Sequence, residues 1–377
     1  MRVGIVGAGA SGCICAYFLI QKGIDVTLFD KKSPLLTLLP TGGGRCNLAH
    51  AEYDFKELTQ NYPRGEKFLY SIFSKFATKE TISLFNDLGI TTYTQDDNRI
   101  FPTSNSSKLV RETILRNIKD AEIIKEYVNS ICKSETSFKV QTNHAEYFFD
   151  KVILATGGHS GYEIAEELGL KINETKPSLV GLKTQNDFKD ISGVVAKNCL
   201  INHYSGDILF THFGISGPLI FQISSINAYK KYPYELNIDL FPEDIDFQMV
   251  LNNNSHKDIK NILGEILPQR LGSKILDELD IPQNTKAHKI DGKMRDMILN
   301  RIHNYRITII GADKGEETVT AGGIALDQLN PKTLEVKNIP NLYCIGEVLD
   351  IDGFCGGFNL QNAWSTAYVC AEGICKN

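Results

Sequence analysis

Six residues near the start of the chain, Gly7-Ala8-Gly9-Ala10-Ser11-Gly12, have the spacing G-x-G-x-x-G. The run before them (2–6, Arg-Val-Gly-Ile-Val) has the character of a short buried strand, and an apolar helical stretch follows from Gly12 to about Lys22. In that setting Gly7 permits a tight turn, Gly9 lets backbone approach a pyrophosphate, and Gly12 allows close helix–strand packing. The free N–H groups and partial positive charge of the helix N-terminus then suit phosphates. Asp30 ends the next strand-like run (25–30), where a carboxylate accepts hydrogen bonds from ribose hydroxyls. A lone Gly-rich turn would be only a turn; strand, helix and acid together read as a dinucleotide site.

Three further segments carry the same kind of signal. Thr41-Gly42-Gly43-Gly44-Arg45-Cys46-Asn47 holds three successive glycines, too costly to order inside a regular element but suited to backbone lying against a flat ligand. Arg45 offers a guanidinium to phosphate or to a substrate carboxylate; the plainer alternative is a flexible loop with a surface arginine. Ala155-Thr156-Gly157-Gly158 closes a buried strand, where ligands bind in doubly wound sheets, although an ordinary strand-ending turn explains it equally well. Near the other end come Thr320-Ala321-Gly322-Gly323-Ile324 and the strand-like 342–345, which ends in Gly346-Glu347. A loop with Gly353, Gly356 and Gly357 leads to a helix starting near Asn359. That places a second helix N-terminus at the ligand edge of a sheet. It suits a group that gains negative charge, as a reduced isoalloxazine does. The two glycines would let backbone approach such a ring.

His212, between Thr211 and Phe213, and Arg45 are the candidate catalytic residues. For His212 a structural role is the stronger expectation, because no acid partner is identifiable. Cys46 and Cys355 stand in ligand loops without a partner thiol and read as small buried filler. Trp364 reads as packing against the sheet.

These motifs need elements to position them. Residues 66–90 and 107–119 read as helical; 122–130, 138–142, 145–149 and 152–155 read as strands. Between about 180 and 245, short β-like segments alternate with turns at Gly193, Gly206, Gly214 and Gly217-Pro218, which suggests a small β-domain. Residues 246–302 read as helical, with Ile262, Leu263, Ile266 and Leu267 on one face. The strand-like 306–310 leads back to the Gly-rich segment at 320. The expected fold is α/β: a doubly wound Rossmann-type domain (1–180 and 318–377), an inserted β-rich domain (181–245 and 303–317) and a helical subdomain (246–302).

Composition narrows the class. The 377 residues, 42% apolar and 23% charged, suit a globular protein. Net charge is −5 without a long basic run, which argues against nucleic acid or an anionic membrane surface as the main partner. Nine cysteines without a C-x-x-C pair support neither a metal site nor a dithiol motif; they read as reduced thiols in the cytoplasm. Residues 3–20 carry no charge and superficially resemble a leader, but Gly4, Gly7, Gly9 and Gly12 interrupt the apolar run, so no targeting segment is expected. No stretch is long and apolar enough to span a bilayer. The sequence leaves the oligomeric state open.

Gly7–Gly12, Thr41–Asn47, Thr320–Ile324 and Gly346–Gln361, in this order, closely resemble the flavoprotein family that includes aminoacetone oxidase-like enzymes and bile-acid flavin reductase-like proteins. Arg99-Ile100-Phe101-Pro102 and Phe210–Pro218 extend the match over nearly the whole chain. The resemblance implies non-covalent FAD held by the two terminal parts of a doubly wound Rossmann-type domain, with an inserted β-barrel-like domain and a helical domain. Together with the motifs it nominates Gly7, Gly9, Ala10, Ser11, Gly12, Asp30, Lys31, Gly43, Gly44, Arg45, Cys46, Val128, Ala155, Thr156 and Gly157 as cofactor-binding. Gly346, Glu347, Gly356, Gly357, Phe358, Asn359, Leu360 and Gln361 complete the set. The family often has Glu in place of Asp30, Ser in place of Thr41, Thr in place of Cys355 and Tyr in place of Phe358.

No second strand–G-x-G-x-x-G–helix unit is visible. Either an organic substrate reduces the flavin directly, or NAD(P)H docks transiently without its own Rossmann domain. The leading expectation is oxidation of a small amine or amino-acid-like substrate, with hydride passing to flavin N5 and then to dioxygen. The alternatives are an NAD(P)H-dependent flavin reductase acting on an enone-like or other apolar substrate, and a non-catalytic flavin-loaded or RNA-associated protein.

Overall fold

The strand-like runs near the two ends of the chain lie side by side. In the computed structural model, which describes residues 1–313 and 319–376, β1 (Arg2–Val6), β2 (Asp25–Phe29), β3 (Glu122–Ile124), β4 (Lys151–Leu154) and β5 (Leu342–Cys344) form one sheet. Its order is β5-β4-β1-β2-β3, and every neighbouring pair is parallel. Val3, Ile5, Leu28, Val152, Ile153 and Tyr343 are completely or almost completely buried, as expected of a parallel sheet covered on both faces. Helix α1 (Ala10–Ile20) links β1 to β2 and packs against α2 (Phe358–Lys376), which follows β5. Because all five strands run the same way, Gly7, Asp30, Glu126, Ala155 and Gly346 gather along one edge, just beyond the strand ends. That edge is where doubly wound sheets bind ligands.

The chain divides into two compact units, Met1–Lys176 with Val319–Asn377, and Pro177–Thr318. The first holds the parallel sheet and an antiparallel meander of Val128–Lys133, Phe138–Thr142 and Glu146–Phe149. The second holds a six-stranded sheet with antiparallel pairing, built from segments between Leu182 and Ala312. The helices within 246–302, expected as a subdomain of their own, belong to this same unit. Their Ile262, Leu263, Leu271 and Ile298 share one core with Phe210, Ile238 and Ile307. A helical segment this short buries its apolar faces best against a neighbouring sheet. Residues 314–317 of the expected β-rich domain, and 318 and 377 of the expected terminal domain, lie outside the described residues.

Local differences have local causes. The helical stretch 66–90 is two helices, Glu66–Phe73 and Thr78–Asp87, and the second starts where the Ala77 N–H donates to Glu80 Oε2 at 2.9 Å. The strand expected over 122–130 is broken, so β3 ends at Ile124 and the meander starts at Val128. Within the β-like region, Pro218–Ile226 is a helix. Proline at its first turn is helix-compatible, and Leu219, Ile220 and Ile223 form its buried face.

Candidate functional site

The Gly-rich turn fits together through its missing side chains. A Cβ on Gly7, whose φ is +109°, would lie 2.2 Å from the Ala155 carbonyl oxygen, and one on Gly12 would lie 2.0 Å from that of Gly7. Gly9 differs, since nothing lies within 4 Å of its Cβ position. It caps α1 with no side-chain hydrogen bond, and no acid sits in the helix's first turn. The space over Gly9 is therefore open beside the helix's N-terminus, where a phosphate can be received. Asp30 closes the turn from the end of β2: its Oδ2 accepts from the Ala8 N–H at 3.0 Å and its Oδ1 from the Lys32 N–H at 2.8 Å.

Beside the turn lies a cleft lined by Gly7, Asp30, Lys31, Glu126, Tyr127, Val128, Thr156, Ser160 and Gly161 among others. Two polar atoms on these residues, Glu126 Oε2 and Thr156 Oγ1, are buried without a hydrogen-bond partner. Buried acceptors in folded proteins are nearly always paired, so this cleft has polar capacity for a ligand. Lys31 Nζ stands 5.5 Å from the centre of the Tyr127 ring at its rim. The arrangement can take a phosphate at α1, a ribose at Asp30 and a base beyond it.

The other motifs lie in this same unit. Gly42, Gly43 and Gly44 all have positive φ, and the Cβ positions of Gly43 and Gly44 are open. The Arg45 guanidinium lies 4.1 Å from the centre of the Phe101 ring, with its Nε donating to the Gly42 carbonyl at 3.2 Å. Cys46 is buried, which pushes its thiol up to about 12. Gly346 is tied to α2 through its N–H, which Thr366 Oγ1 accepts at 3.0 Å. Glu347 Oε1 accepts from the Thr320 N–H at 3.0 Å.

The loop from Gly353 to Phe358 is fastened at several points. Asn359 accepts the Gly353 N–H and donates to the Gly353 carbonyl, both at 2.8 Å. Tyr62 donates to the Phe358 carbonyl at 2.6 Å, and His50 stacks on the Phe358 ring at 4.7 Å. The Gly357 Cβ position lies 2.6 Å from Ala49 backbone atoms, and that of Gly356 lies 3.0 Å from the Phe358 ring. Protein backbone and the Phe358 ring thus fill the Cβ positions of these two glycines.

Of the remaining nominated residues, Ala10, Ser11, Lys31, Val128, Ala155, Thr156 and Gly157 line the turn, its helix or the adjoining strand ends. Leu360 is half-buried on α2. Gln361 is fully buried and donates to Thr81 and Ser365 at 2.8 Å, so its side chain serves the interior. Cys355, expected as buried filler, is exposed. Trp364 packs on Phe85 and donates to the Leu48 carbonyl at 2.9 Å. His212 sits in the other unit, exposed at the turn between the strands Tyr204–Thr211 and Gly214–Ser216. Among the described residues no cluster of three or more His, Cys, Asp or Glu is placed to hold a metal, and no helix is long and apolar enough to cross a membrane.

Several site residues carry no sequence signal. Arg64 makes a two-pronged ion pair with the wholly buried Asp352, pinning the approach to the Gly353 loop. His159 Nδ1 lies 3.5 Å from Thr320 Oγ1, beside Glu347. Glu126 had one available clue, its place just past a strand that ends at the ligand edge.

The family model described as HI0933-like protein Rossmann domain matches residues 1–373. The ribosomal RNA dihydrouridine synthase of Escherichia coli (strain K12) is 30% identical, over 98% of this chain and 97% of that one. The 3-dehydro-bile acid delta(4,6)-reductase of Clostridium scindens is 29% identical, over 98% of each. The bile-acid reductase side of the resemblance thus has a full-length counterpart; the aminoacetone oxidase-like label is not confirmed. Among solved structures, the open conformation of a flavocytochrome c3 fumarate reductase superposes with a TM-score of 0.54 at 13% identity, over all of this chain and 78% of that one. A 3-ketosteroid delta1-dehydrogenase from Sterolibacterium denitrificans gives 0.52 at 12% identity, over 99% of each. At such identities the likeness is one of fold.

Proposed function

The chain belongs to the HI0933-like family and is an FAD-dependent oxidoreductase, and from that premise we propose that it reduces a carbon–carbon double bond conjugated to a carbonyl. The observation that carries this reading is a chemical agreement between two relatives aligned over almost the whole chain. Dihydrouridine is uridine whose C5–C6 double bond, conjugated to the C4 carbonyl, has been saturated. A delta(4,6)-reductase of a 3-dehydro-bile acid acts on double bonds conjugated to a 3-keto group. The two ring systems differ; the reacting group is the same.

FAD, when bound, supplies the hydride. The chain's share is placement and charge. The α1 N-terminus would hold the pyrophosphate, and Asp30 the ribose. Lys31, Val128 and Ala155–Gly157 would line the adenosine half. Gly43–Cys46, Gly346-Glu347 and the backbone of Gly356–Gln361 would border the flavin half. As the double bond is reduced, negative charge builds on the conjugated carbonyl oxygen, and a fixed donor there lowers the barrier. Arg45, steadied by the Gly42 carbonyl and the Phe101 ring, is the candidate donor. The reducing equivalents would come from NAD(P)H docking transiently. A ribosomal RNA base as substrate would make RNA a partner, against the lean of the −5 net charge.

The test is anaerobic. The yellow protein is reduced with NADPH or by light, then mixed with a steroid enone, with ribosomal RNA, and with saturated counterparts of each. Return of the oxidised absorbance with the enone or the RNA, and not with the saturated compounds, supports the reading. Bleaching by a small amine and recolouring in air, with no response to enone or RNA, overturns it in favour of amine oxidation.

A further inference from the structure

We infer that Glu126 reads the exocyclic amine of the cofactor's base, so that the cleft selects an adenine dinucleotide over one with a keto group in that position. The inference rests on the FAD reading above and adds a residue to it. Its basis is the order of strands at the ligand edge. β1, β2 and β3 are neighbours, with Val6 beside Phe29 and Phe29 beside Ile124. The phosphate-binding turn follows β1, Asp30 follows β2, and Glu126 lies two residues past the end of β3.

Adjacent strands are about 4.8 Å apart, so Glu126 starts about 10 Å along the edge from the turn. That is the reach of a nucleotide from phosphate to base edge, with the ribose passing Asp30 on the way. Three acids follow strand ends on this edge, Asp30, Glu126 and Glu347, and two of them have donors. Asp30 takes the N–H groups of Ala8 and Lys32. Glu347 Oε1 takes the N–H of Thr320 at 3.0 Å. Glu126 keeps a buried Oε2 without a donor, and it lines the cleft together with Asp30, Tyr127 and Val128. A carboxylate accepts hydrogen bonds and does not donate them. It therefore pairs with the amino group of adenine and repels the carbonyl of hypoxanthine.

The purified holoprotein is incubated with an equal excess of FAD and of the flavin dinucleotide carrying hypoxanthine in place of adenine. Bound dinucleotide is then resolved by chromatography. The wild type is expected to retain FAD over the analogue by about tenfold or more, the usual worth of a hydrogen bond to a charged group. Glu126→Ala should bring the ratio close to one. Glu126→Gln, nearly the same shape, should do likewise, because its amide can turn either oxygen or nitrogen to the base. Its shape guards against a folding defect. A wild type that takes both dinucleotides equally, or a variant that keeps the wild-type ratio, overturns the role of Glu126. Purified wild type that holds no flavin dinucleotide at all would instead overturn the FAD reading.

Discussion

Asp30 Oδ2 accepts the backbone N–H of Ala8 at 3.0 Å, so the acid expected to reach a ribose also holds the Gly-rich turn in shape. With Lys32 bound at 2.8 Å through Oδ1, each carboxylate oxygen keeps a lone pair for a ligand hydroxyl. One side chain thus joins the strand end, the turn and the cleft.

Asp30→Ala should weaken FAD binding by about 1–3 kcal/mol, the range for losing hydrogen bonds to a charged group. Asp30→Asn, which retains one acceptor oxygen, should fall between the variant and the wild type. A titration of flavin retention against protein concentration measures both. Unchanged affinity in the alanine variant would show that the carboxylate does not reach the cofactor.

The Arg64–Asp352 pair supports a second prediction. Asp352 has no exposed surface, and Arg64 supplies its charge partner. Arg64→Met alone leaves a buried carboxylate without its cation, a change that costs about 3–5 kcal/mol. Arg64→Met combined with Asp352→Leu should cost clearly less, since no stranded charge remains. Denaturant melts of the two variants give the comparison, and equal losses would refute the charge argument.

Gly357 has a φ of +100° and no room for a Cβ beside Ala49. Gly357→Ala should lower stability by at least about 1–3 kcal/mol through backbone strain alone. In protein that still loads with flavin, the midpoint potential should stay at its wild-type value, because the substitution acts on packing with Ala49. Spectroelectrochemistry on the loaded variant decides the point, and a clear shift in potential would show that the glycine acts on the ring.

His50 makes stability depend on pH. Burial holds its pKa below the ordinary imidazole value of about 6.5, and its hydrogen bond to the Gly356 carbonyl offsets this only in part. The unfolded chain therefore takes up the proton first. The contribution of His50 is fully present above about pH 6.5 and is lost as pH falls from there through the folded value. Between about pH 7 and pH 5 the thermal midpoint should fall more in the wild type than in His50→Gln. Parallel curves would remove His50 as the source.

Short stretches of chain encode their own local geometry. Gly7, Gly9 and Gly12 lie within one turn, and Asp30 ends the very next strand, so their geometry follows from local backbone rules. The strand at 138–142 and the helices near 107–119 and 359 were legible because the period of apolar residues reports which face is buried. Period does not report what buries that face. The same signal therefore left the helices of 246–302 looking independent and hid the helix Pro218–Ile226 inside a β-like region.

Tertiary structure decided the pairings across long stretches of chain. Arg64 meets Asp352, His50 meets Gly356, and Trp364 meets Leu48 because the sheet adopts the order β5-β4-β1-β2-β3. That order also brings Glu126 to the same edge as Gly7, although more than a hundred residues separate them. No local pattern encodes strand order. It is set by how all the apolar faces are covered at once, and each buried charge or glycine then takes its meaning from the neighbour that arrangement supplies.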